Sequence, residues 1–359
     1  MKSNQNPKKG SGQENPSNHD LKILVIGAGG IGGITAAHMK RAGYNVEVVD
    51  NLPGLSDKIQ GEGIHVFGET KEFTEKMTAW SSLQEVSGKM DVILIATKAN
   101  ALCQITKEIK NLLKDNSVVI SLQNGICEEY LIKAIGKDRV IGCVVGWGAT
   151  VHEHGNLEKT SGGDFIVGTI DGQSVNHFDF VVDALKTVAP VVVSDNVFGW
   201  LYSKLIINSC ITTLGAICGM TLGKMLTVKK IRNIFIQIIR EAVMVGRATG
   251  IKIEKYAGKL DFYNFAEKNS RLADFKKHLM IRIIGFKYRR LKSSSLQSLE
   301  TGRKTEIDYL NGYITSKADE TNTKTPLNDF LIHLIKEIEN GERSISRQNF
   351  DLQFFNQYS

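Results

Sequence analysis

The sequence predicts an α/β amino-terminal half followed by an all-helical carboxyl-terminal half. Three observations support this division: a glycine-rich turn follows an apolar strand near residue 27, strands and helices alternate to about residue 196, and apolar residues then recur at helical spacing. The chain has 359 residues, of which 42% are apolar and 23% charged, so it is long enough for two domains with substantial cores.

The glycine-rich turn has the G-x-G-x-x-G spacing that is typical of dinucleotide-binding domains. Gly27 permits a tight turn, Gly29 lets the backbone approach a pyrophosphate, and Gly32 lets the following helix pack closely on the sheet. The amino terminus of that helix attracts negative charge. The turn therefore predicts a Rossmann-like domain, with cofactor contacts from Gly27, Ala28, Gly29, Gly30, Ile31 and Gly32.

A second predicted strand, residues 44–49, ends at Asp50. A carboxylate at this distance beyond the glycines can accept hydrogen bonds from an adenosine ribose and repel a 2′-phosphate. Asp50 is therefore a predicted cofactor residue, and it favours NADH over NADPH.

Two further buried strands, residues 91–96 and 117–122, lead to Lys98 and Asn124. Parallel sheets carry their chemistry at the carboxyl ends of their strands, so we expect both residues near the nicotinamide. A surface lysine and a turn-forming Asn-Gly pair are the alternative interpretations. Weaker strand patterns are present at residues 63–67, 72–77, 140–145 and 165–167.

The second half is predicted to be helical. Helix patterns cover residues 199–217, 227–249, 255–291, 303–319 and 328–341. The predicted organisation is a disordered tail (1–20), a Rossmann-like dinucleotide-binding domain (21–196), a helical substrate and catalytic domain (197–345) and a carboxyl-terminal tail (346–359).

Two polar groups in the helical half could carry chemistry. Lys204 and Asn208 are four residues apart and share a helix face. In a dry cleft, such a lysine can give a proton to a developing alkoxide, while the asparagine fixes the oxygen. The second group is a run of serines at 293–295, upstream of Glu306; such hydroxyls also commonly cap helices.

The net charge of +7 comes from a local basic segment. Residues 276–292 contain seven Lys or Arg residues and no acidic residue. We favour a solvated helix face beside an anionic ligand over a helix that binds an anionic membrane, and no nucleic-acid-binding signature accompanies the segment. A membrane partner and a nucleic-acid partner are therefore not expected.

The cysteines and histidines indicate a reduced protein without a metal site. The five cysteines include no C-x-x-C pair, and the first 20 residues lack the apolar core of a secretion signal, so we expect a cytoplasmic protein. His152 and His154 alternate on a predicted turn or strand, where histidines are more often exposed than metal-bound.

Several of these motifs together resemble the ketopantoate reductase (2-dehydropantoate 2-reductase) family. They are GAGGIG, the lysine after the strand that ends at Thr97, Gln123-Asn124-Gly125, the W-x-x-x-K-L-x-x-N run from Trp200, and SSSLQSLETGRKTEIDYLNG. The resemblance extends from Leu21 to about Asn340.

The resemblance implies an oxidoreductase of pantothenate biosynthesis that reduces the 2-oxo acid 2-dehydropantoate with NADH or NADPH. It assigns catalysis to Lys204 and leaves Glu306 two roles, orienting Lys204 or hydrogen-bonding a substrate hydroxyl. Substrate contacts are implied for Asn124, Asn208, Thr212 and Ser294, and cofactor contacts for Lys98 and Asn124.

The chain departs from the family pattern at Asp50, where many members have an arginine, and at Thr212, where another asparagine is usual. Two alternatives therefore stay open: a related reductase for a different 2-oxo or β-hydroxy acid, and a non-catalytic nucleotide-binding protein. The apolar helical half is also compatible with a homodimer.

Overall fold

The computed structural model describes residues 20–256, 258, 260–267 and 270–358, so nearly all of the predicted amino-terminal tail lies outside it. The strands are β1 (Lys22–Ile26), β2 (Asn45–Val49), β3 (Ile64–Gly68), β4 (Phe73–Glu75), β5 (Ala79–Trp80), β6 (Met90–Ile95), β7 (Leu113–Ser121), β8 (Val140–Val145), β9 (Gly148–Glu153), β10 (Asn156–Ser161), β11 (Phe165–Thr169) and β12 (Val191–Val193).

The α-helices follow the same chain order. They are α1 (Gly30–Arg41), α2 (Leu55–Gly61), α3 (Leu102–Ile109), α4 (Glu128–Ile135), α5 (Phe178–Lys186), α6 (Val197–Cys218), α7 (Leu222–Thr227), α8 (Lys229–Ala248), α9 (Phe262–Glu267), α10 (Arg271–Lys287), α11 (Ser294–Glu300), α12 (Asn311–Glu320) and α13 (Pro326–Glu339).

The main sheet has eight strands in the order β12-β11-β8-β7-β6-β1-β2-β5. Its pairs are parallel except for β8 and β11, which are antiparallel. Strands β2, β1, β6, β7 and β8 therefore end at one edge, and this arrangement with the helical second domain confirms the predicted fold class. The carboxyl-terminal edge is where Gly27, Asp50, Lys98 and Asn124 lie.

A second sheet of four strands, in the order β4-β3-β10-β9, lies beside α1. The weak strand patterns at residues 63–67 and 72–77 become β3 and β4. Leu157 of β10 packs so close to Gly33 that a side chain at Gly33 would collide with it. The second sheet thus fixes the helix that begins at the glycine-rich turn.

The helical domain is built around α6. Its residues are almost all buried, and α8, α11 and α13 pack against it. Among the described helices, α6 alone is long and apolar enough to cross a membrane, with a mean hydropathy of 1.3, but 83% of that stretch is buried inside the protein. Burial on this scale is that of a core helix in a folded domain.

Three predictions for the second half differ from the structure. The segment 255–291 contains two separate helices, α9 and α10. In the segment 303–319 the α-helix begins only at Asn311, after a 3₁₀ turn at Ile307–Tyr309. The predicted carboxyl-terminal tail instead packs onto the helical domain, because Phe350 and Phe355 are buried in its core. Aromatic side chains bury large apolar areas, which holds this short segment in place.

Candidate active site

The glycine-rich turn forms an anion-binding cradle between β1 and α1. Gly27 has a φ of +98°, which favours glycine, and a side chain at Gly32 would overlap the carbonyl oxygen of Gly27. At Gly29, no other atom lies within 4 Å of where a Cβ would be. Helix α1 has neither a side-chain cap nor an acidic residue in its first turn, so its first N–H groups can bind a pyrophosphate.

Asp50 lies against this turn. Its carboxylate accepts hydrogen bonds from the backbone N–H of Ala28 (2.8 Å) and of Leu52 (3.0 Å). These two bonds fix the charge of Asp50 beside the cradle, where the sequence predicts an adenosine ribose.

Lys98 and Glu306 join the two domains. Lys98 Nζ lies 3.2 Å from Glu306 Oε2, and the backbone N–H of Ala99 donates to Glu306 Oε1 at 2.9 Å. Asn100 strengthens the contact by donating to the carbonyl oxygen of Thr305 at 2.9 Å. Glu306 is only 5% exposed, so both of its oxygens are held in a nearly dry interface.

Asn124 and Asn208 meet across the same interface. The Asn208 Nδ2 group donates to Asn124 Oδ1 at 3.3 Å. The neighbouring Gly125 has a φ of +93° and packs against the carbonyl oxygen of Tyr309. The end of β7 is thereby docked onto the helical domain, with two side-chain amides in the cleft.

Lys204 lies one helical turn before Asn208 on α6. Its ammonium group donates to the carbonyl oxygen of Val145 at 2.9 Å, at the end of β8. The ammonium therefore points to the edge of the sheet that carries Asn124 and Lys98. This placement brings together Lys98, Asn124, Lys204, Asn208 and Glu306.

Glu128 is a site residue that the sequence predictions do not include. It begins α4 and is 1% exposed, and its carboxyl group accepts a hydrogen bond from the backbone N–H of Cys143. Strand β7 pairs with β8 only at Val140 and Ile141, so the backbone edge at Cys143 and Val145 is open on that side. Glu128 and Lys204 thus bind successive outward-facing groups of the same strand edge.

Burial changes the charge behaviour of both groups. It lowers the pKa of Lys204, although the nearby carboxylate of Glu306 favours the ammonium form. Burial raises the pKa of Glu128 to about 8, and its Oε2 is buried without a hydrogen-bond partner among the described residues. Near neutral pH, Glu128 is therefore mostly protonated.

We expect Glu128→Gln to flatten the dependence of stability on pH. Between the ordinary pKa of 4.5 and the raised value of about 8, the native state of the wild type holds a proton that the unfolded state releases. The free energy of unfolding of the wild type should therefore fall with rising pH in this window. Over the same window, the free energy of unfolding of Glu128→Gln should fall by about 2 to 4 kcal/mol less than that of the wild type.

Urea unfolding at a series of pH values measures this difference. Glu153→Gln, at an exposed position on β9, is the matched control and should follow the wild type. Parallel curves for wild type and Glu128→Gln would show that Glu128 is charged at neutral pH.

Thr212 lies one helical turn beyond Asn208 on α6, and Ser294 begins α11, which packs against α6. Ser293 caps α11 and donates to the carbonyl oxygen of Thr212 at 3.2 Å, which places the half-buried Ser294 beside this part of the helix. The Thr212 hydroxyl donates to the carbonyl oxygen of Asn208 at 2.7 Å. Thr212 thus uses its hydrogen within its own helix and has only oxygen lone pairs for a ligand.

The part of the chain that the structure describes contains no cluster of candidate metal ligands. No group of three His, Cys, Asp or Glu side chains there could hold an ion. His152 instead contacts the carboxylate of Glu158 at 2.6 Å, on the surface of the second sheet.

Family models match both domains. The model described as ketopantoate reductase PanE/ApbA matches residues 23–172, and its carboxyl-terminal counterpart matches residues 196–339. The chain belongs to the ketopantoate reductase family. This confirms the resemblance that the sequence motifs indicate.

Curated relatives of this family are similar over most of their length. The 2-dehydropantoate 2-reductase of Pyrococcus abyssi is 27% identical, with 88% of this chain and 97% of the relative covered. The corresponding protein of Aquifex aeolicus is 26% identical, with 88% and 96% covered.

Solved structures share the fold. A PanE/ApbA family ketopantoate reductase from Ralstonia eutropha matches with a TM-score of 0.76 and 25% identity, covering 90% of this chain and all of that one. A D-mandelate dehydrogenase in complex with NADH and anilino(oxo)acetate matches with a TM-score of 0.77 and 22% identity, covering 89% and 99%.

The signal for Glu128 is present in the sequence. Glu128 lies three residues before the buried Leu131, and therefore on the apolar side of α4, whereas the adjacent Glu129 is half-exposed and bonded to Tyr313. Glu128 thus differs from Glu129 in that its carboxylate lies on the apolar face of the helix that follows Asn124-Gly125.

Proposed function

We propose that this protein reduces a 2-oxo acid to a 2-hydroxy acid with NADH or NADPH, and that the substrate is 2-dehydropantoate. The observation that carries the proposal is the position of Lys204, whose ammonium lies at the carboxyl edge of the sheet, one helical turn from the paired amides of Asn124 and Asn208. The family and the activity named for its curated members support the choice of substrate.

A bound nicotinamide would supply the hydride that C2 of the 2-oxo acid accepts. In this proposal Lys204 protonates the oxygen that becomes an alkoxide, and its lowered pKa makes that transfer easier. The amides of Asn124 and Asn208 hold the same oxygen, and the hydroxyl of Ser294 binds the substrate carboxylate.

Glu306 acts as a positioning residue in this proposal. Its two oxygens accept from Lys98 and from the backbone of Ala99, so it fixes the turn that carries Lys98 rather than bonding Lys204 directly. Its negative charge also favours the ammonium form of Lys204.

The hydroxyl of Thr212 favours a second candidate, a reductase for another 2-oxo acid. Because this hydroxyl donates within α6, the pocket has no donor here where the family usually has an amide. A substrate with a smaller or apolar group beside Thr212 does not need a hydrogen-bond donor there, so it would fit this pocket without losing a hydrogen bond.

Oxidation of NADH and NADPH with a panel of 2-oxo acids tests the proposal. We expect 2-dehydropantoate to have the highest kcat/KM, at least tenfold above pyruvate and 2-oxoisovalerate. A different preferred acid would support the second candidate, and no oxidation with any acid would overturn the enzymatic assignment.

We further expect NADH to bind more tightly than NADPH, by about 1 to 3 kcal/mol, because the fixed carboxylate of Asp50 repels a 2′-phosphate. Fluorescence titration with both dinucleotides measures the difference. Asp50→Asn should narrow it, whereas Asp57→Asn, an exposed control on α2, should not. Tighter binding of NADPH by the wild type would contradict the prediction.

We also propose that the protein is cytoplasmic. The five free cysteines, four of them buried, fit a reducing cytoplasm. Size-exclusion chromatography with light scattering tests whether the protein forms the homodimer with which its apolar helical half is compatible.

A further inference from the structure

Helix α10 presents an apolar stripe to solvent. Phe275 is 64% exposed and Phe286 is 71% exposed, and three more large apolar side chains lie between them or beside them. Consecutive residues of an α-helix are about 100° apart, so the five side chains fall within a sector of about 80°. They are Leu272, Phe275, Leu279, Ile283 and Phe286.

The stripe points directly away from the protein. On the opposite face, Ile281 and Gly285 are buried, and Gly285 packs against Leu226 of α7. Arg232 fixes the same face by donating to His278 Nδ1 at 3.0 Å. The helix therefore cannot rotate to bury the stripe without losing these contacts, so the solvated polar face expected from the sequence is not what the structure has.

Basic side chains flank the stripe on both sides. Arg271 and Arg282 lie along one border and Lys276 and Lys287 along the other, all of them exposed. Arg289, Arg290 and Lys292 continue the positive charge after the helix, and residues 275–299 contain no acidic residue. Apolar side chains bordered by cations are the pattern of a helix that lies in the interface of an anionic bilayer.

The charges beside the stripe also disfavour its burial against a second copy of this chain. A twofold contact through the stripe would place the basic borders of one helix against the basic borders of the other. Such like-charge contacts oppose association, whereas anionic lipid headgroups neutralise both borders at once.

We propose that α10 is a membrane-docking surface that binds anionic phospholipid. The stripe enters the acyl boundary, and the basic borders contact the headgroup phosphates. Only five residues separate the end of α10 from Ser293, so the docked enzyme would hold the substrate side of its active site near the lipid surface.

Co-sedimentation with vesicles tests the proposal. We expect the wild type to bind vesicles of phosphatidylglycerol and phosphatidylcholine in equal parts, and not vesicles of phosphatidylcholine alone. Lys276→Gln with Lys287→Gln should weaken binding about 30-fold, which corresponds to about 1 kcal/mol for each cation. Phe275→Ser with Phe286→Ser should abolish it. Lys107→Gln with Lys110→Gln, on the exposed side of α3 and the turn after it, is the matched control.

A fluorescence measurement separates insertion from simple attraction of charges. In Phe286→Trp, the emission should shift to shorter wavelength when anionic vesicles are added, because the new indole enters the acyl boundary. Binding without this shift, or equal loss in the control, would overturn the docking surface. The proposal would also be overturned if the wild type were a dimer that Phe275→Ser with Phe286→Ser dissociates. It would equally be overturned if the wild type were a monomer that binds no vesicles. Because none of these variants alters the proposed active site, 2-oxo acid reduction by each of them tests the enzyme separately.

Discussion

Replacing Lys204 with alanine will lower kcat about 10²- to 10⁴-fold, because the protonation of the alkoxide then loses its positioned acid. The ammonium donates to Val145 at the sheet edge and lies one turn from Asn208, so the substitution removes the group without changing the backbone that holds it. Substrate KM should also rise, since the 2-oxo acid is anionic. Steady-state kinetics at saturating substrate measures both effects.

Two further variants show whether the loss is chemical. Lys204→Arg keeps a positive charge but not a readily transferred proton, so it should bind substrate better than the alanine variant and remain slow. Lys324→Ala, at an exposed position of the helical domain, should behave like the wild type. The dinucleotide Kd should stay within about threefold in all three, because the cradle lies on the other domain. Near-normal kcat in Lys204→Ala would transfer the acid role to another group, with Lys98 the first candidate.

Replacing Gly32 with alanine will destroy dinucleotide binding and cost about 2 to 4 kcal/mol of folding stability. The new Cβ would overlap the carbonyl oxygen of Gly27 and lie 2.7 Å from the Cβ of Ala96, so the turn and the strand must separate. Urea unfolding and fluorescence titration with NADH measure the two losses.

Gly29→Ala isolates the binding effect. Its Cβ would meet no other protein atom within 4 Å, so stability should be nearly unchanged while the pyrophosphate loses its close approach to the backbone. Gly61→Ala in α2 is the control, because that position is also open and has an ordinary φ. Equal dinucleotide affinity in Gly29→Ala and Gly61→Ala would show that the cradle does not hold the phosphates.

The order of strands and helices in the first domain follows from local patterns. The turn after β1 needs glycines, and the apolar runs of β6 and β7 are those of strands buried on both faces. The hairpin of β9 and β10 is not evident in the same way. Its residues are mostly polar or half-buried, and β10 pairs with β3 about 90 residues away, so only tertiary structure shows that it is a sheet.

The same contrast holds for the site. Lys204 and Asn208 share a helix face, and Lys98 and Asn124 follow parallel strands, so their proximity can be predicted from periodicity and topology. The bonds of Glu306 to Lys98 and Ala99 depend on how two domains dock across about 207 residues, which no local pattern encodes. The exposed apolar face of α10 could not be predicted either, because helical spacing alone does not show which face of a helix packs against the protein.

Transfer of deuterium from labelled dinucleotide is the most direct test of the central claim, that this cleft delivers a hydride to C2 of a 2-oxo acid. The enzyme is given 2-dehydropantoate and a reduced dinucleotide carrying deuterium at one or the other face of C4, and the product is analysed by mass spectrometry and NMR. We predict pantoate with one deuterium at C2 from one labelled dinucleotide and none from the other. Pantoate without deuterium from both, or no pantoate from either, would contradict the account.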